Sequence, residues 1–335
     1  MTIMKLSDII IPGTTNGIML DGVITRKSYL KNAFFTSGII QNSVAPSVNA
    51  DLDSTLDNGG KHIQMRSQLE PRDAEQIIDD TTDLTVDKLA QAYESTPVYI
   101  RGKAYGETDL AVDLGGSDPM EALGDFWANY WAYRMQVLMI NVVAGALGAA
   151  NAGGNVYDIS AVADPGKLLT ASSFILASQL LGDASDQIVA VAMHSAFYAQ
   201  LLLQDLITFQ PNSGQGAPIP YYMTKAVIVD DGLPYNSGTK IGTLYMFKKG
   251  SIVLKEGKMK TPVEVDRSSL VNGGQEWMVS RKKFIMHPVG FRFDPAASLA
   301  APTPSNAEAA LTTNWTRVYD TKEVGIVAFK CKASD

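Results

Sequence analysis

The sequence predicts a mixed α+β fold, and three observations carry that prediction. A wide apolar pattern with helical spacing fills residues 118–150. Short apolar runs of strand character recur between residues 188 and 332. No regular strand–helix alternation and no internal repeat joins them, which excludes a doubly wound sheet and a solenoid. The chain has 335 residues, of which 46% are hydrophobic and 19% charged. The length predicts two substructures or one elaborated domain with a sizeable core. Charged residues fall below the roughly 25% of ordinary soluble domains, which leaves neutral surface suited to self-association.

Residues 1–50 mix short apolar runs with Gly, Asn, Ser and Thr and show no sustained period. Such a stretch is expected to be an arm lying on its own domain or on a neighbour. The polar, turn-rich DLDSTLDNGG (51–60) leads into the strand-like KHIQMRSQLE, an acidic stretch and the strand-like PVYIRGKAY. This order predicts a long hairpin. Its alternation is only partly apolar, so it is expected to lack a full core within its own subunit.

The strongest local signal follows in DPMEALGDFWANYWAYRMQVLMINVVAGALGAANAGG. Asp118 suits the N-cap, Pro119 the first helical position and Glu121 a capping box; Asn151 and Gly153-Gly154 suit the stop. A helix over 119–150 would be a rod of roughly 45 Å. Trp127, Trp131, Met135, Leu138 and Val142 share one face, broadened by Phe126, Tyr130, Val137 and Ile140. So wide a face predicts contact on more than one side.

A second helix is expected over 171–181, ending at Gly182, then a strand at IVAVAM (188–193) and a helix in HSAFYAQLLLQDLI, with Ser195 as its N-cap. Beyond the loop PNSGQGAPIP the expected strands are AVIVD, GTLYMFKKGSIVL with a turn at Lys249-Gly250, and WMVSRKKFIM running into HPVGFRF. A Pro/Ala-rich linker, DPAASLAAPTPSNAEAA, leads to a last strand candidate in RVYDTKEVGIVAFKCK.

Charge and cysteine content narrow the function. The net charge is −7, from 28 basic and 35 acidic residues, and the densest basic cluster, Arg281-Lys282-Lys283, lies inside a strand-like run. That balance argues against a protein whose main task is to grip nucleic acid. One cysteine, Cys331, leaves no intramolecular disulfide and no cysteine-built zinc site. The N-terminus lacks the pattern of a secretory signal, and residues 135–150 are too short and too polar for a membrane span.

Tests for chemistry point the same way. His194-Ser195 sits at a strand-to-helix turn, yet AMHSAF lacks the glycines of a nucleophile elbow. His62, His194 and His287 lack metal-helix spacing and read as structural. The pairs Asp79-Asp80 and Asp230-Asp231 lack the alternation of a calcium loop and read as solvated turns. No Gly-rich phosphate motif follows a strand. The expected catalytic, cofactor-binding and metal residues are therefore none.

The segment VYIRGKAYGETDLAVDLGGSDPMEALGDFWANYWAYRMQVLMINVVAGALGAA resembles the major capsid protein of tailed double-stranded DNA bacteriophages. Four more strings agree in order: FFTSGIIQNSVAPS, VAVAMHSAFYAQLLLQDLI, VIVDDGLPY with LYMFKKGSIVL, and FIMHPVGFRF. The resemblance implies the Hong Kong 97-like capsid fold. It implies an N-terminal arm over 1–45 and an extended loop over 46–112. It implies a peripheral domain over 113–184 and 286–335, with its spine helix at 119–150, and an axial domain over 185–285. The implied work is self-assembly into pentamers and hexamers that enclose double-stranded DNA without reading its sequence, in a virion assembled in the host cytoplasm. Implied partners are a portal protein and scaffolding or decoration proteins, with no membrane. An acidic subunit suits a container, since a strongly basic lining would hold DNA by its phosphates. One branch of that family cross-links lysine to asparagine. Lys61, Lys88 and Lys103 lie in or near the loop without a motif for that reaction, so no cross-link is expected. The rival readings are a cellular nanocompartment shell of the same fold, and a hydrolase using Ser195 with His194 or His287.

Overall fold

The computed structural model describes residues 34, 39–41, 56, 59–69, 74–78, 83–89, 91–115, 123–148, 154–210, 218–295 and 299–334. The expected cap at Asp118, Pro119 and Glu121, the stop at Asn151 and Gly153, and the pair Asp79-Asp80 lie outside the described residues.

Two mixed sheets share one long helix. In the first sheet, β1 (Ile40–Gln41), β2 (His62–Gln68) and β3 (Gln91–Thr108) come from the N-terminal third of the chain. The expected hairpin forms: β2 pairs antiparallel with β3, from His62 opposite Pro97 to Gln68 opposite Gln91. β3 is 18 residues long, roughly 60 Å of strand, and runs on well past its pairing with β2. Its residues 94–99 are buried on both faces, whereas most of 100–106 is exposed. Helix α1 (Asp109–Gly115) closes it.

Helix α2 (Leu123–Ala146) is the spine, about 36 Å of described helix; it ends at Ala146, short of the expected end at 150, while the expected first residues, 119–122, lie outside the described ones. Trp127, Trp131, Met135, Leu138 and Val142 are all buried, and Ile140 joins them, but Phe126 is more than half exposed. The chain then enters the second sheet with β4 (Val156–Asp158), is covered by α3 (Ala171–Ser178), and continues through β5 (Ile188–Met193) and α4 (Ser195–Leu203). β6 (Ile207–Gln210), β7 (Ile219–Tyr222), β8 (Lys225–Val229), β9 (Tyr235–Asn236) and β10 (Ile241–Lys248) complete this run. The expected second helix is α-helical only to Ser178. The chain tightens to a 3₁₀ helix through Gln187, around Gly182 at φ +59°. The expected helix in HSAFYAQLLLQDLI stops at Leu203, because Asp205 takes a positive φ and Ile207 starts β6.

At Lys248–Ser251 the chain changes sheets. Gly250, at φ +70°, permits the turn, and Ser251 donates its N–H to the Lys248 carbonyl. β11 (Ile252–Gly257), β12 (Val263–Ser268), β13 (Gln275–Pro288), β14 (Phe291–Phe293) and β15 (Trp315–Arg317) therefore belong to the first sheet, ordered β1-β11-β13-β3-β14-β15 with β12 also on β13. The expected Pro/Ala linker contains a short helix, α5 (Asn306–Ala310), because Ser305 and Glu308 form a capping box. The last strand candidate is two strands in different sheets: β15 in the first and β16 (Ile326–Lys332) in the second. The second sheet runs β4-β16-β10-β5-β8-β7-β6, with β9 on β10. The stretch 185–285 is thus divided between the two sheets. β11 to β13 leave it for the first, and β16, expected with the periphery, joins β10 in the second through seven register positions.

Burial follows the strand period. Ala190, Ala192, Tyr245, Phe247, Ile326 and Ala328 face α2 and the first sheet. Their neighbours Val191, Met193, Leu244, Met246, Val327 and Phe329 face α3 and α4. The second sheet is thus covered on both faces, as its near-continuous apolar strands require. The N-terminal stretch is less coreless than its composition suggests: Phe34, Ile39 and Ile40 lie in the main core, and β1 pairs in parallel with β11. The base of the hairpin is also seated at home, where Ile63, Met65 and Val98 pack with Leu56, Val253 and Ile285.

Candidate functional site

Residues with catalytic potential are engaged in structural contacts. His194, not Ser195, caps α4: its Nδ1 accepts the Ala196 N–H at 3.1 Å. The imidazole stacks on Tyr235, with ring centroids 4.4 Å apart. Ser195 turns to Asp231, whose Oδ1 accepts the Ser195 main-chain N–H at 3.3 Å. The hydroxyl donates to the same carboxylate and holds it below its ordinary acid range. With Nδ1 on the main chain and Nε2 3.7 Å from Asp231 Oδ1, His194 is not placed to take a proton from Ser195. His287, the other candidate base, is buried beside Glu94 on the first sheet.

The other candidates among the described residues are committed too. Asp230 accepts the Gly232 N–H at 2.8 Å and the Gln136 side-chain amide at 2.6 Å, so it ties the β8 turn to the spine helix. His62 stacks on Phe293 at 5.9 Å. Burial pushes the Cys331 thiol up, away from the reactive thiolate. Among the described residues no group of three or more His, Cys, Asp or Glu side chains could hold a metal ion. No described helix is long and apolar enough to cross a membrane.

The basic cluster of β13 is engaged within the chain, two of its members by carboxylates and one by a main-chain carbonyl. Lys282 is buried with its Nζ 3.0 and 3.1 Å from the two Glu256 carboxylate oxygens. Lys283, also buried, donates to the Leu56 carbonyl. Arg281 bonds Glu264 at 2.9 Å and the Thr261 carbonyl at 3.2 Å. None of the three is presented as a phosphate clamp.

The same strand anchors the spine. Trp127 donates its indole N–H to Met278 Sδ at 3.2 Å, and Trp131 to Ser280 Oγ at 2.9 Å. Four residues of helix rise about 6 Å and two residues of strand about 6.7 Å. Successive helix turns therefore meet successive same-face residues of β13, and the aromatic run is a docking edge for the sheet.

Among the described residues apolar side chains are exposed at several places, and two groups of them stand out. One is the hairpin tip, where Ile77 is 91% and Val86 95% exposed, with Ile78, Leu84 and Leu89 beside them. Gln76 holds this tip in shape: its amide donates to Thr85 Oγ1 at 2.6 Å and to the Thr85 carbonyl at 3.1 Å, and accepts the Thr85 N–H at 2.9 Å. The other lies at the far side of the second sheet, with Leu203, Leu206, Phe209, Ile219 and Met223 exposed around α4, β6 and β7. Ordered apolar surface of this kind marks association surfaces. Sequence reading located the hairpin but not these side chains, because exposure depends on the partner strand each residue receives.

Comparison with known proteins gives the same direction. The family model of Gp13-like proteins, described as major capsid protein 13-like, matches residues 79–326. A curated major capsid protein of Bacillus phage SPP1 is 37% identical over 333 residues and is covered over 98% of each chain. The capsid subunit of cyanophage Pam1 superposes with a TM-score of 0.56 at 13% identity, over 91% of this chain and 93% of that one. The capsid of Ralstonia phage GP4 also gives 0.56, at 11% identity over 91% and 92%. With the family model matching most of its length and a 37% identical relative covered almost end to end, this chain, a phage capsid protein with the Hong Kong 97-like fold, belongs to the Gp13-like major capsid protein family.

Proposed function

We propose that this chain is the repeating subunit of an icosahedral shell in which pentamers and hexamers enclose double-stranded DNA, and that its work is mechanical. The hairpin tip carries this reading: five large apolar side chains stand in water on a tip held by three hydrogen bonds. An isolated subunit gains nothing from such a surface; an assembled one buries it. A specific interface needs roughly 1,200–2,000 Å², and the tip together with the apolar end of the second sheet offers more than one place for it.

The parts divide the work as follows. Residues 1–45 serve as the arm and 46–112 as the extended loop reaching a neighbour. α2 with β11 to β15 of the first sheet forms the peripheral part, and β4 to β10 with β16 the axial part around the capsomer axis. The boundaries thus follow sheet membership rather than the simple interval 185–285. A portal protein, with scaffolding or decoration proteins, completes the shell in the host cytoplasm. DNA is enclosed by volume rather than by sequence, consistent with the −7 net charge and the internal ion pairs of Arg281 and Lys282. No catalytic step is assigned to the chain.

Expression of the subunit followed by sedimentation and negative-stain microscopy tests the reading. Closed, uniform shells are expected. The variant Ile77→Asp/Val86→Asp should leave the subunit folded and prevent closure. Full assembly of that variant would overturn the role of the tip.

A further inference from the structure

β12 and β13 pair from Val263 opposite Ser280 to Ser268 opposite Gln275, and residues 269–274 turn the chain between them. The turn uses left-handed backbone: Asn272 lies at φ +51° and Gly273 at φ +78°, and the Gly274 N–H donates to the Val271 carbonyl at 3.0 Å. Two consecutive positive φ values are what Asn-Gly adopts at least cost. The pair that suits the turn is also chemically fragile. The main-chain nitrogen of a residue without a Cβ is unhindered, and it can close a five-membered ring on the preceding side-chain amide.

The surroundings leave that path open. Asn272 and Gly273 are exposed, and a Cβ on Gly273 would meet nothing within 4 Å. Among the described residues no acceptor holds the Gly273 N–H. The Asn272 side chain makes one bond there, from Nδ2 to Gln275 Oε1 at 3.3 Å, long for a hydrogen bond and exposed to water. Asn236 gives the contrast: its Oδ1 accepts the Gly238 N–H at 2.9 Å and the Thr239 N–H at 3.1 Å. Asn155 and Asn314 are buried.

We propose that Asn272 is a site of self-modification, in which the Gly273 main-chain nitrogen attacks the Asn272 side-chain carbonyl carbon. The N–Cγ bond forms, the Cγ–Nδ2 bond breaks, and the amide leaves as ammonia with the proton of the Gly273 N–H. Solvent water then opens the cyclic imide. Addition at Cγ yields aspartate. Addition at the Asn272 main-chain carbonyl yields isoaspartate, which routes the backbone through the side-chain methylene. Aspartate keeps the turn, since it tolerates left-handed backbone. Isoaspartate lengthens the backbone between the paired Ser268 and Gln275. Gly274 has no room to follow: its carbonyl accepts the Asp109 N–H at 3.0 Å, and a Cβ there would overlap the Asp109 carboxylate. The seat of the turn on α1 is thereby loosened. This chemistry belongs to the folded chain itself and does not depend on shell closure.

Incubation of the folded full-length chain in mildly alkaline buffer, followed by tryptic mapping, tests it. Cleavage after Arg267 and Arg281 releases residues 268–281, in which Asn272 is the only asparagine, and fragmentation separates it from Gln275. Asn272 is expected to convert to aspartate and isoaspartate about tenfold faster than Asn236. The pairs Asn16-Gly17 and Asn58-Gly59 fall in other tryptic peptides, their asparagines outside the described residues. In an Asn16→Ser/Asn58→Ser background, chains aged to isoaspartate at Asn272 should melt below fresh ones; equal melting overturns the loosening of the turn. An intact Asn272 in the folded chain, under conditions that convert the free peptide 268–281, overturns the proposal, as does conversion of Asn236 at an equal rate.

Discussion

Glu94 and His287 meet in the interior of the first sheet, the His287 Nε2 bonded to Glu94 Oε2 with both side chains buried. The same carboxylate oxygen accepts the Gly290 N–H at 3.1 Å, so one side chain of β3 holds both the end of β13 and the turn into β14. A polar bond in such a place contributes little net energy while intact and costs heavily once one partner is orphaned. Glu94→Leu or His287→Leu is expected to lower subunit stability by at least about 2 kcal/mol, read from urea midpoints. The double variant should cost less than the sum of the singles. Strict additivity would show that the two side chains are not coupled.

The spine helix and the C-terminal segment approach each other through glycines. A Cβ at Gly145 would overlap the Ala309 carbonyl oxygen and press on Trp315, whose indole N–H donates to that oxygen at 2.7 Å. A Cβ at Gly148 would overlap Thr312. In an unpacked helix Gly→Ala is worth up to about 1 kcal/mol of stability. Here Gly145→Ala should destabilise by about 1–3 kcal/mol through overpacking, and the sign of the change in thermal midpoint decides the matter.

Acid should weaken the subunit. The Lys167 ammonium holds the Asp164 carboxyl below its ordinary value of 3.8, and Lys322 does the same for Asp183. The Ser305 and Ala300 N–H groups hold Glu308 below 4.5. A carboxyl whose folded pKa is depressed adds stability above its unfolded pKa, and that stability is lost as pH falls through the folded value. The thermal midpoint is therefore expected to be level above about pH 5 and to fall below about pH 4. Asp164→Asn should shallow that fall; an unchanged slope would remove Asp164 from the account.

Cys331 offers a probe of intact packing. Its side chain is buried in β16 between β10 and β4, and burial keeps its thiol protonated. A thiol reagent should leave the native subunit unlabelled and label it fully in denaturant. Rapid labelling of assembled shells would mean that the second sheet opens during assembly.

Much of the fold was legible because it depends on local pattern. The hairpin, the spine with its Trp127–Val142 face and the strand at Ile188–Met193 each carry a period that their own residues define. What pattern could not supply was pairing. GTLYMFKKGSIVL reads as strand, turn, strand, yet Lys248–Ser251 is a passage between sheets, since the register of β10 is completed by β16 and β5 and not by β11. The Arg281-Lys282-Lys283 cluster reads in sequence as part of a strand, but its partners could not be read there, because Glu256 and Glu264 come from strands that only the tertiary fold brings alongside. Nothing local to Ile77 and Val86 marks them in sequence as exposed; the fold leaves them so.

The backbone passes between the two sheets at α2, at Lys248–Ser251 and again between β15 and β16. Neither sheet is therefore a continuous length of chain, and neither can be peeled from the other by sliding along an interface alone. A force that pulls the sheets apart loads covalent peptide bonds at each passage as well as side-chain contacts. In a shell subunit such stitching makes the two sheets share a load rather than part at their interface.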